Sequence, residues 1–265
     1  MSASKMMMGT STCDRMKGAR PSSDLRADCS TWVAGVDGCR GGWVAVWLAW
    51  DSRVVCERLC EVYSSIQEIV THARRPIVVA IDMPIGLLDS WERGGRLSDR
   101  MARQLLGRRA ASIFTPPLRA WLTETPYETM RRQGMSRQAF HLLPKIRELD
   151  ALMTPALQDR IIEAHPELAF GRLLGHPARW SKRSPEGVRE RLAILATLDL
   201  GPDSPLDAWV KTCVTRYRRR GVAVDDIMDA VALSWTAFNV VKGKGIRIPE
   251  APPRDARGLR MEIWM

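Results

Sequence analysis

Three acidic residues of this sequence each follow a short apolar run of the kind that forms a β-strand. They are Asp37, Asp82 and Glu163. Aspartate is a poor strand residue, because its short side chain favours turns and hydrogen bonds with the local backbone. The position of Asp37 after residues 33–36 therefore has two interpretations, an Asx turn that caps the strand or a ligand for a metal ion.

A further group of acids opens the apolar pattern over residues 224–238, which predicts a buried helix. Asp229 lies four residues after Asp225 and three after Asp226, so it shares a helix face with both. Acids in the first turn of a helix complement its dipole and cap free N–H groups, which accounts for Asp225 or Asp226. Capping does not account for Asp229, which lies a full turn inside the helix among apolar residues.

These acids can meet at one edge of a sheet. If the three strands are neighbours, their carboxyl ends converge there, and the helix can bring Asp226 or Asp229 to the same edge. Carboxylates packed together raise one another's pKa unless cations neutralise them. Mg²⁺ and Mn²⁺ suit such oxygen ligands, and two ions about 3.5–4 Å apart can activate a water molecule and stabilise the leaving oxygen of a phosphodiester. The pattern therefore predicts cation-dependent phosphodiester chemistry.

Hydrophobic patterning predicts the strands that position the acids. They are a hairpin over residues 32–50 and strands over residues 54–63, 77–81 and 160–163. The run 77–81 is apolar throughout, which is typical of a strand buried on both faces. A helix follows the third strand, with Ser64 or Ser65 as its cap and Glu68 in its first turn.

Helical patterning occupies most of the remaining chain. The predicted helices cover residues 98–107, 136–152, 185–198, 206–219 and 224–238. Residues 87–158 form a predicted helical insertion after the fourth strand, and residues 258–264 predict an edge strand or a tail across the core. Residues 1–30 are polar and without periodicity, which predicts a disordered tail. Residues 31–265 then form a single α/β domain.

The positive charge of this chain is clustered. The net charge is +10, and cations concentrate in residues 93–137, 172–191 and 211–220. Such clusters suit phosphate, for which arginine offers a bidentate fork, although a solvated basic face is the alternative. Arg108, Arg109 and Lys182 are the candidate phosphate-binding residues, and DNA or RNA is the expected partner.

Several classes of protein are excluded by what the sequence lacks. It contains no Walker A, HExxH, GxSxG or GxGxxG motif and no cysteine pair at zinc spacing. No apolar run reaches the length of a membrane helix, and the polar N-terminus lacks the apolar segment of a secretory signal. We therefore expect a cytoplasmic protein without a membrane partner; the sequence does not decide its oligomeric state.

Five segments together resemble one protein family. They are residues 35–43, 80–86, 112–114, 163–167 and 225–230, and they are similar to the bacterial and archaeal family called domain of unknown function 429, whose members are labelled predicted nucleases with an RNase H-like fold. The resemblance covers residues 32–264. It implies a mixed five-stranded sheet in the order 3-2-1-4-5, flanked by helices.

The resemblance also implies roles for individual residues. It makes Asp37, Asp82, Asp226 and Asp229 ligands of Mg²⁺ or Mn²⁺, with Asp37, Asp82 and Asp229 catalytic. Glu163 is an additional catalytic candidate, and Glu167 is the alternative to it, because the family motif contains both. Familiar ribonucleases H carry an acid on the first helix, where this chain offers only Glu68, to which we assign no role.

Three functions remain compatible with the sequence. The first is a metal-dependent nuclease. The second is an actin-like ATPase or phosphotransferase, in which a glycine-rich hairpin such as residues 35–43 cradles nucleotide phosphates; such proteins normally have two of these domains, and this chain has one such hairpin. The third is a non-catalytic nucleic-acid-binding protein, in which the acids serve as caps and the basic clusters bind phosphate.

Overall fold

The sheet contains the five predicted strands. A computed structural model describes Met1 and residues 31–51, 54–123, 126–201 and 205–265; the remainder of the predicted N-terminal tail lies outside the described residues. The strands are β1 (Thr31–Cys39), β2 (Gly42–Trp50), β3 (Val55–Tyr63), β4 (Val78–Ile81) and β5 (Ile161–Glu163). Their order is β3-β2-β1-β4-β5, with β1, β2 and β3 antiparallel and with β4 and β5 parallel to β1. The predicted mixed five-stranded sheet in the order 3-2-1-4-5 is confirmed.

Helices cover both faces of this sheet. They are α1 (Ile66–Val70), α2 (Leu97–Leu106), α3 (Tyr127–Arg132), α4 (Arg137–Leu152), α5 (Pro166–Leu174), α6 (Pro185–Leu195), α7 (Leu206–Tyr217) and α8 (Val224–Val241). On one face, α8 packs against the sheet with α5, α6 and α7 around it. On the other face, α1 and α4 pack against Trp43 and Trp47 of β2. Both faces of the central strands are therefore buried, as their apolar sequences require.

The start of helix α1 is determined by its local sequence. Ser65 caps the helix: its hydroxyl accepts a hydrogen bond from the Glu68 N–H, and the Glu68 carboxylate accepts one from the Ser65 N–H. This capping box satisfies donors that a helix start otherwise leaves free. The cap predicted at Ser64 or Ser65 is thus Ser65, and Glu68 has a structural role.

Two helices and the strand Arg247–Ile248 were not predicted, whereas the C-terminal residues 258–264 contain the strand that was one of their two predicted alternatives. Helix α5 begins directly after β5, where Pro166 occupies its first turn and the His165 side chain caps it. Helix α3 lies between β4 and β5 with α2, α4 and two short 3-10 helices, Gly107–Ser112 and Arg119–Leu122. The C-terminal segment forms β7 (Ile263–Trp264), which pairs with β6 (Arg247–Ile248). Within the described ranges, no helix is both long and apolar enough to cross a bilayer.

Gly35 allows helix α8 to approach β1 at backbone distance. A Cβ atom at Gly35 would lie 2.0 Å from the Ser234 backbone N and 2.2 Å from the Ala230 carbonyl oxygen. No side chain fits such a gap, and the atoms in the way belong to the backbone of a buried helix. The position of α8 over the sheet therefore depends on the absence of a side chain at Gly35.

We predict that Gly35→Ala destabilises the protein by about 3 kcal/mol or more, because an overpacked core must displace the helix backbone. Urea denaturation measures the change in free energy of unfolding. Gly171→Ala in α5 is the matched control, since its Cβ would meet atoms only at 3.9 Å. Equal stability of the two variants would show that α8 can move away without cost.

Candidate functional site

The predicted acids meet in a cleft at the carboxyl ends of β1 and β4. The cleft has a volume of about 490 Å³. Its charged lining residues are Asp37, Asp82, Arg109, Glu167, Lys182, Arg183, Asp225, Asp226 and Asp229. Two of the predicted site residues, Glu163 and Arg108, are not among the residues that line it. The structure thus brings together acids from the ends of two parallel strands and from the helices α5 and α8.

Asp37 lies near the end of β1, opposite Val44 of β2, and is buried. One carboxylate oxygen accepts a hydrogen bond of 2.7 Å from the N–H of the next residue, Gly38, within β1, which continues to Cys39. An Asx turn uses the N–H two residues on, so this contact is not the predicted strand cap. The side chain also lines the cleft, which leaves the ligand alternative open. Burial raises the pKa of Asp37 well above the ordinary aspartate value, and the nearby Asp82 and Asp229 carboxylates raise it further.

Asp82 follows β4 directly. Its N–H donates to the Val36 carbonyl of β1 at 3.0 Å, which continues the parallel ladder one residue beyond the strand. This hydrogen bond brings the backbone of Asp82 beside the residue that precedes Asp37. The two carboxylates are close enough that the charge of Asp82 contributes to the raised pKa of Asp37. Adjacent parallel strands therefore deliver the pair to one edge.

Asp229 is fully buried in the second turn of α8. One oxygen, Oδ2, accepts a hydrogen bond of 2.5 Å from the Lys182 ammonium, whereas Oδ1 is buried and has no hydrogen-bond partner among the described residues. Burial raises the pKa of Asp229 to about 7, although Lys182 acts in the opposite direction. A buried carboxylate oxygen without a donor is costly, so its position needs a reason.

Asp225 and Asp226 occupy the first turn of α8. The Asp226 carboxylate accepts a hydrogen bond of 2.9 Å from the Ala223 N–H, as a capping residue does. Burial raises the pKa of Asp226 as well. Asp225 lies 3.7 Å from the Lys182 ammonium. Capping thus accounts for one oxygen of Asp226, while both residues still line the cleft.

Glu163 lies at the end of β5 but faces a buried arginine rather than the cleft. Arg96 donates to both of its oxygens, at 2.6 and 2.7 Å, and also pairs with Asp99. The Ile85 N–H donates to Glu163 at 2.7 Å. These hydrogen bonds join Glu163 to other parts of the buried protein. They do not favour a catalytic role for Glu163, which stays a prediction.

Glu167, the alternative acid, lines the cleft but is paired with two arginines. Arg191 donates to it at 2.5 Å and Arg109 at 3.2 and 3.3 Å. These contacts lower the pKa of Glu167 against the effect of its burial. Arg109, a predicted phosphate ligand, is thus engaged at the cleft wall, and Arg108 is exposed outside it.

Sequence reasoning missed the two buried arginines, Arg96 and Arg191, that hold Glu163 and Glu167. Both side chains are almost completely buried. Arg96 precedes α2 and gave no signal in the helical pattern. Arg191 did, because it lies on the buried face of α6 with Leu195. In a chain with so many arginines, that signal does not distinguish a buried guanidinium from an exposed one.

The groups that line the cleft are of the kind that binds a hard divalent cation. Its donors are carboxylate oxygens, which Mg²⁺ and Mn²⁺ prefer, and Asp229 Oδ1 is a buried oxygen without a partner. Among residues with described positions, no group of three or more His, Cys, Asp or Glu side chains is arranged to hold a metal ion.

Comparison with known proteins agrees with the segments that the sequence singled out. A family model described as "Protein of unknown function (DUF429)" matches residues 35–254, a range that contains every carboxylate of the cleft. No curated protein matches the chain. Among solved structures, the Thermus thermophilus RuvC structure is similar at 12% sequence identity and a TM-score of 0.32, over 81% of this chain and 98% of that one.

We predict a pH-dependent effect of Glu163→Gln. Burial raises the pKa of Glu163 to about 7 from 4.5, so between these values the folded protein holds more protons than the unfolded chain. The contribution of Glu163 to the free energy of unfolding therefore falls as the pH rises from 4.5 to 7, and the glutamine variant lacks this contribution. The variant should gain stability relative to the wild type by on the order of 2 kcal/mol over this range.

Urea denaturation at pH 5, 6, 7 and 8 measures this difference. Glu186→Gln, which removes an exposed glutamate from α6, is the control. A stability difference between Glu163→Gln and the wild type that does not change with pH would show that Arg96 keeps Glu163 ionised throughout.

Proposed function

The chain belongs to the DUF429 family, and for this member we propose the function of a divalent-cation-dependent nuclease that hydrolyses phosphodiester bonds in DNA or RNA. The observation that carries the proposal is the convergence of Asp37, Asp82 and Asp229 in one cleft. Two neighbouring parallel strands and a helix supply these acids, and none of the three has an arginine partner among the described residues. This distinguishes them from the paired Glu163 and Glu167.

The residues that would hold Mg²⁺ or Mn²⁺ are Asp37, Asp82 and Asp229, with Asp226 at the start of α8. Ions bound there would activate a water molecule and would stabilise the negative charge that develops on the phosphate oxygens. The protein itself orients the acids: the Gly38 N–H fixes one oxygen of Asp37, and the capping contact fixes Asp226. Arg109 and Arg183 line the cleft and supply positive charge for a phosphate group.

A basic surface beside the cleft supports a polymeric substrate. It consists of Arg40 in the β1–β2 turn and Arg218, Arg219 and Arg220, which form a short 3-10 helix before α8. All four side chains are exposed, and no described carboxylate forms an ion pair with them. The Arg220 side chain donates to the Gly41 carbonyl at 3.3 Å, so the turn and the 3-10 helix are in contact. A nucleic-acid backbone that crosses the cleft can reach this surface.

The same contact favours the nuclease over the actin-like ATPase. A Cβ atom at Gly41 would lie 2.3 Å from the Arg220 carbonyl oxygen, so the glycine of this turn serves close packing between protein segments. In the ATPase, the glycine-rich hairpin would instead need room for nucleotide phosphates. The third alternative, a nucleic-acid-binding protein without catalysis, is separated from the nuclease by the cleavage experiment below.

We predict that the wild type binds Mn²⁺ and that Asp37→Asn and Asp82→Asn each weaken this binding, because each removes an anionic ligand. Isothermal titration calorimetry measures the affinity, and Asp89→Asn, which removes an exposed carboxylate, is the control. The same proteins are then incubated with labelled single- and double-stranded DNA and RNA in Mg²⁺, Mn²⁺ or EDTA.

Cleavage should require the cation and should fall by roughly 100-fold or more in Asp37→Asn, as when a group that stabilises transition-state charge is removed. Activity that survives in EDTA or in Asp37→Asn would contradict the proposed site. If the wild type binds nucleic acid without cutting any of these substrates, the non-catalytic alternative is correct.

We also predict that the basic surface contributes to nucleic-acid binding through phosphate contacts. The double variant Arg218→Ala/Arg219→Ala should bind more weakly, and the slope of log affinity against log salt should become shallower by about one for each lost contact. Fluorescence anisotropy over a range of NaCl concentrations measures the slope. Arg131→Ala/Arg132→Ala, an exposed pair on α3 that does not line the cleft, is the control. Equal slopes for the two double variants would exclude this surface as a phosphate-binding site.

A further inference from the structure

The ammonium group of Lys182 is the cation that contacts the aspartates of α8 in the cleft. It lies 2.5 Å from Asp229 Oδ2 and 3.7 Å from Asp225 Oδ2. The two partners differ in environment, because the Asp229 side chain is completely buried while one-third of the Lys182 side chain remains exposed to solvent. Lys182 thus reaches from the surface of the cleft to its most buried carboxylate.

The loop that carries Lys182 is fixed in place. Ser184 caps α6 and also donates, through both its N–H and its hydroxyl, to the Ser181 carbonyl at 3.0 Å. Gly187 leaves no room for a side chain, since its Cβ would lie 1.8 Å from the same carbonyl oxygen. The buried Arg191 donates to the Trp180 carbonyl at 3.1 Å. These contacts hold the backbone on both sides of Lys182, and its side chain extends from there to the Asp229 carboxylate.

The Lys182–Asp229 ion pair uses only one of the two carboxylate oxygens of Asp229, so the other oxygen can bind a second cation. Lys182 contacts one oxygen of Asp229, and the other oxygen has no hydrogen-bond partner among the described residues. Asp37 and Asp82 lie near enough for the Lys182 charge to interact with both. A lysine ammonium is a single point charge on a flexible stem and does not engage both oxygens as a guanidinium does.

We propose that Lys182 is a displaceable counter-ion: it neutralises Asp229 when no divalent cation is bound, and a divalent cation that binds Asp229 displaces it. This inference rests on the proposed function, because it concerns the same cleft. It assigns Lys182 a role in setting cation affinity, beyond the phosphate contact predicted from sequence. The displaced ammonium remains at the mouth of the cleft, within reach of an anionic substrate.

The consequence is a competition at Asp229. In the wild type, a divalent cation that approaches the unpartnered Oδ1 competes with the Lys182 ammonium for the charge of the same carboxylate, and the two cations repel each other. The apparent affinity is therefore reduced by the free energy needed to displace Lys182. In Lys182→Met this cost disappears. We expect Mn²⁺ to bind Lys182→Met about tenfold or more tightly than the wild type.

Isothermal titration calorimetry with Mn²⁺ tests the competition in three variants. Arg183→Met is the matched control, because it removes a positive charge from the next residue, which lines the same cleft without a carboxylate partner among the described residues. Lys182→Arg keeps the charge at Asp229 and should not gain affinity. An increase in Lys182→Met that exceeds any increase in Arg183→Met supports the proposal.

The remaining outcomes separate this inference from the proposed function. If the wild type and Lys182→Met bind Mn²⁺ equally, Lys182 is not displaced and the inference is wrong, while the nuclease proposal survives. If neither binds Mn²⁺, both are wrong. If Arg183→Met gains as much affinity as Lys182→Met, the effect is that of net charge, and the inference is again wrong.

A second measurement uses the wild type alone and so does not depend on a variant that must fold. Lys182 is acetylated with an N-hydroxysuccinimide ester, and the extent is read by peptide mass spectrometry with and without saturating Mg²⁺. Release from Asp229 should increase the labelling of Lys182 severalfold, while the exposed Lys211 serves as the internal standard. Unchanged labelling of Lys182 at saturating Mg²⁺ would overturn the proposal.

Discussion

The contact between β1 and α8 at Gly35 determines where the cleft lies. Asp37 is two residues beyond Gly35 on the strand, and Asp229 immediately precedes Ala230, one of the helix residues whose backbone lies against Gly35. Because the backbones meet at this point, the two acids are brought together by a rigid strand and a rigid helix. Sites built on such elements hold their geometry more closely than sites built on loops. The core between α8 and the sheet and the position of Asp229 in the cleft depend on this one approach.

The acids of the protein fall into two groups according to their counter-ions. Glu163 and Glu167 are paired with buried arginines that reach both oxygens or bring a second guanidinium. Such pairs leave no oxygen for a ligand, and their loss would strand a buried charge. Asp37 and Asp229 have raised pKa values and incomplete partners. Perturbed acids in a cleft are typical of functional sites, and here the presence or absence of an arginine separates them from structural acids.

Much of the fold was predictable because the sheet and the long helices have strong hydrophobic patterns. The strands, the cap at Ser65 and the helix that carries Asp229 follow from local sequence. The convergence of Asp37 with Asp82 also follows, since parallel neighbours end at one edge. Glu163 shows the limit of that argument: it ends a parallel strand too, but Arg96, distant in sequence, turns its carboxylate into a structural ion pair. The spacing of the acids in the sequence does not reveal which arginine pairs with which acid, because such partners come together only in the folded protein.

The choice between lysine and arginine distinguishes the counter-ion of Asp229 from the others. An arginine with its bidentate geometry, as Arg96 has with Glu163, is held by two parallel hydrogen bonds and completely buried. Lys182 makes one such bond, keeps a third of its side chain in contact with solvent and leaves Asp229 Oδ1 available. An ammonium also regains strong hydration once it is released, which lowers the cost of displacing it. A fixed counter-ion would stabilise Asp229 permanently, whereas this one stabilises the cleft and still allows a cation of higher charge to replace it.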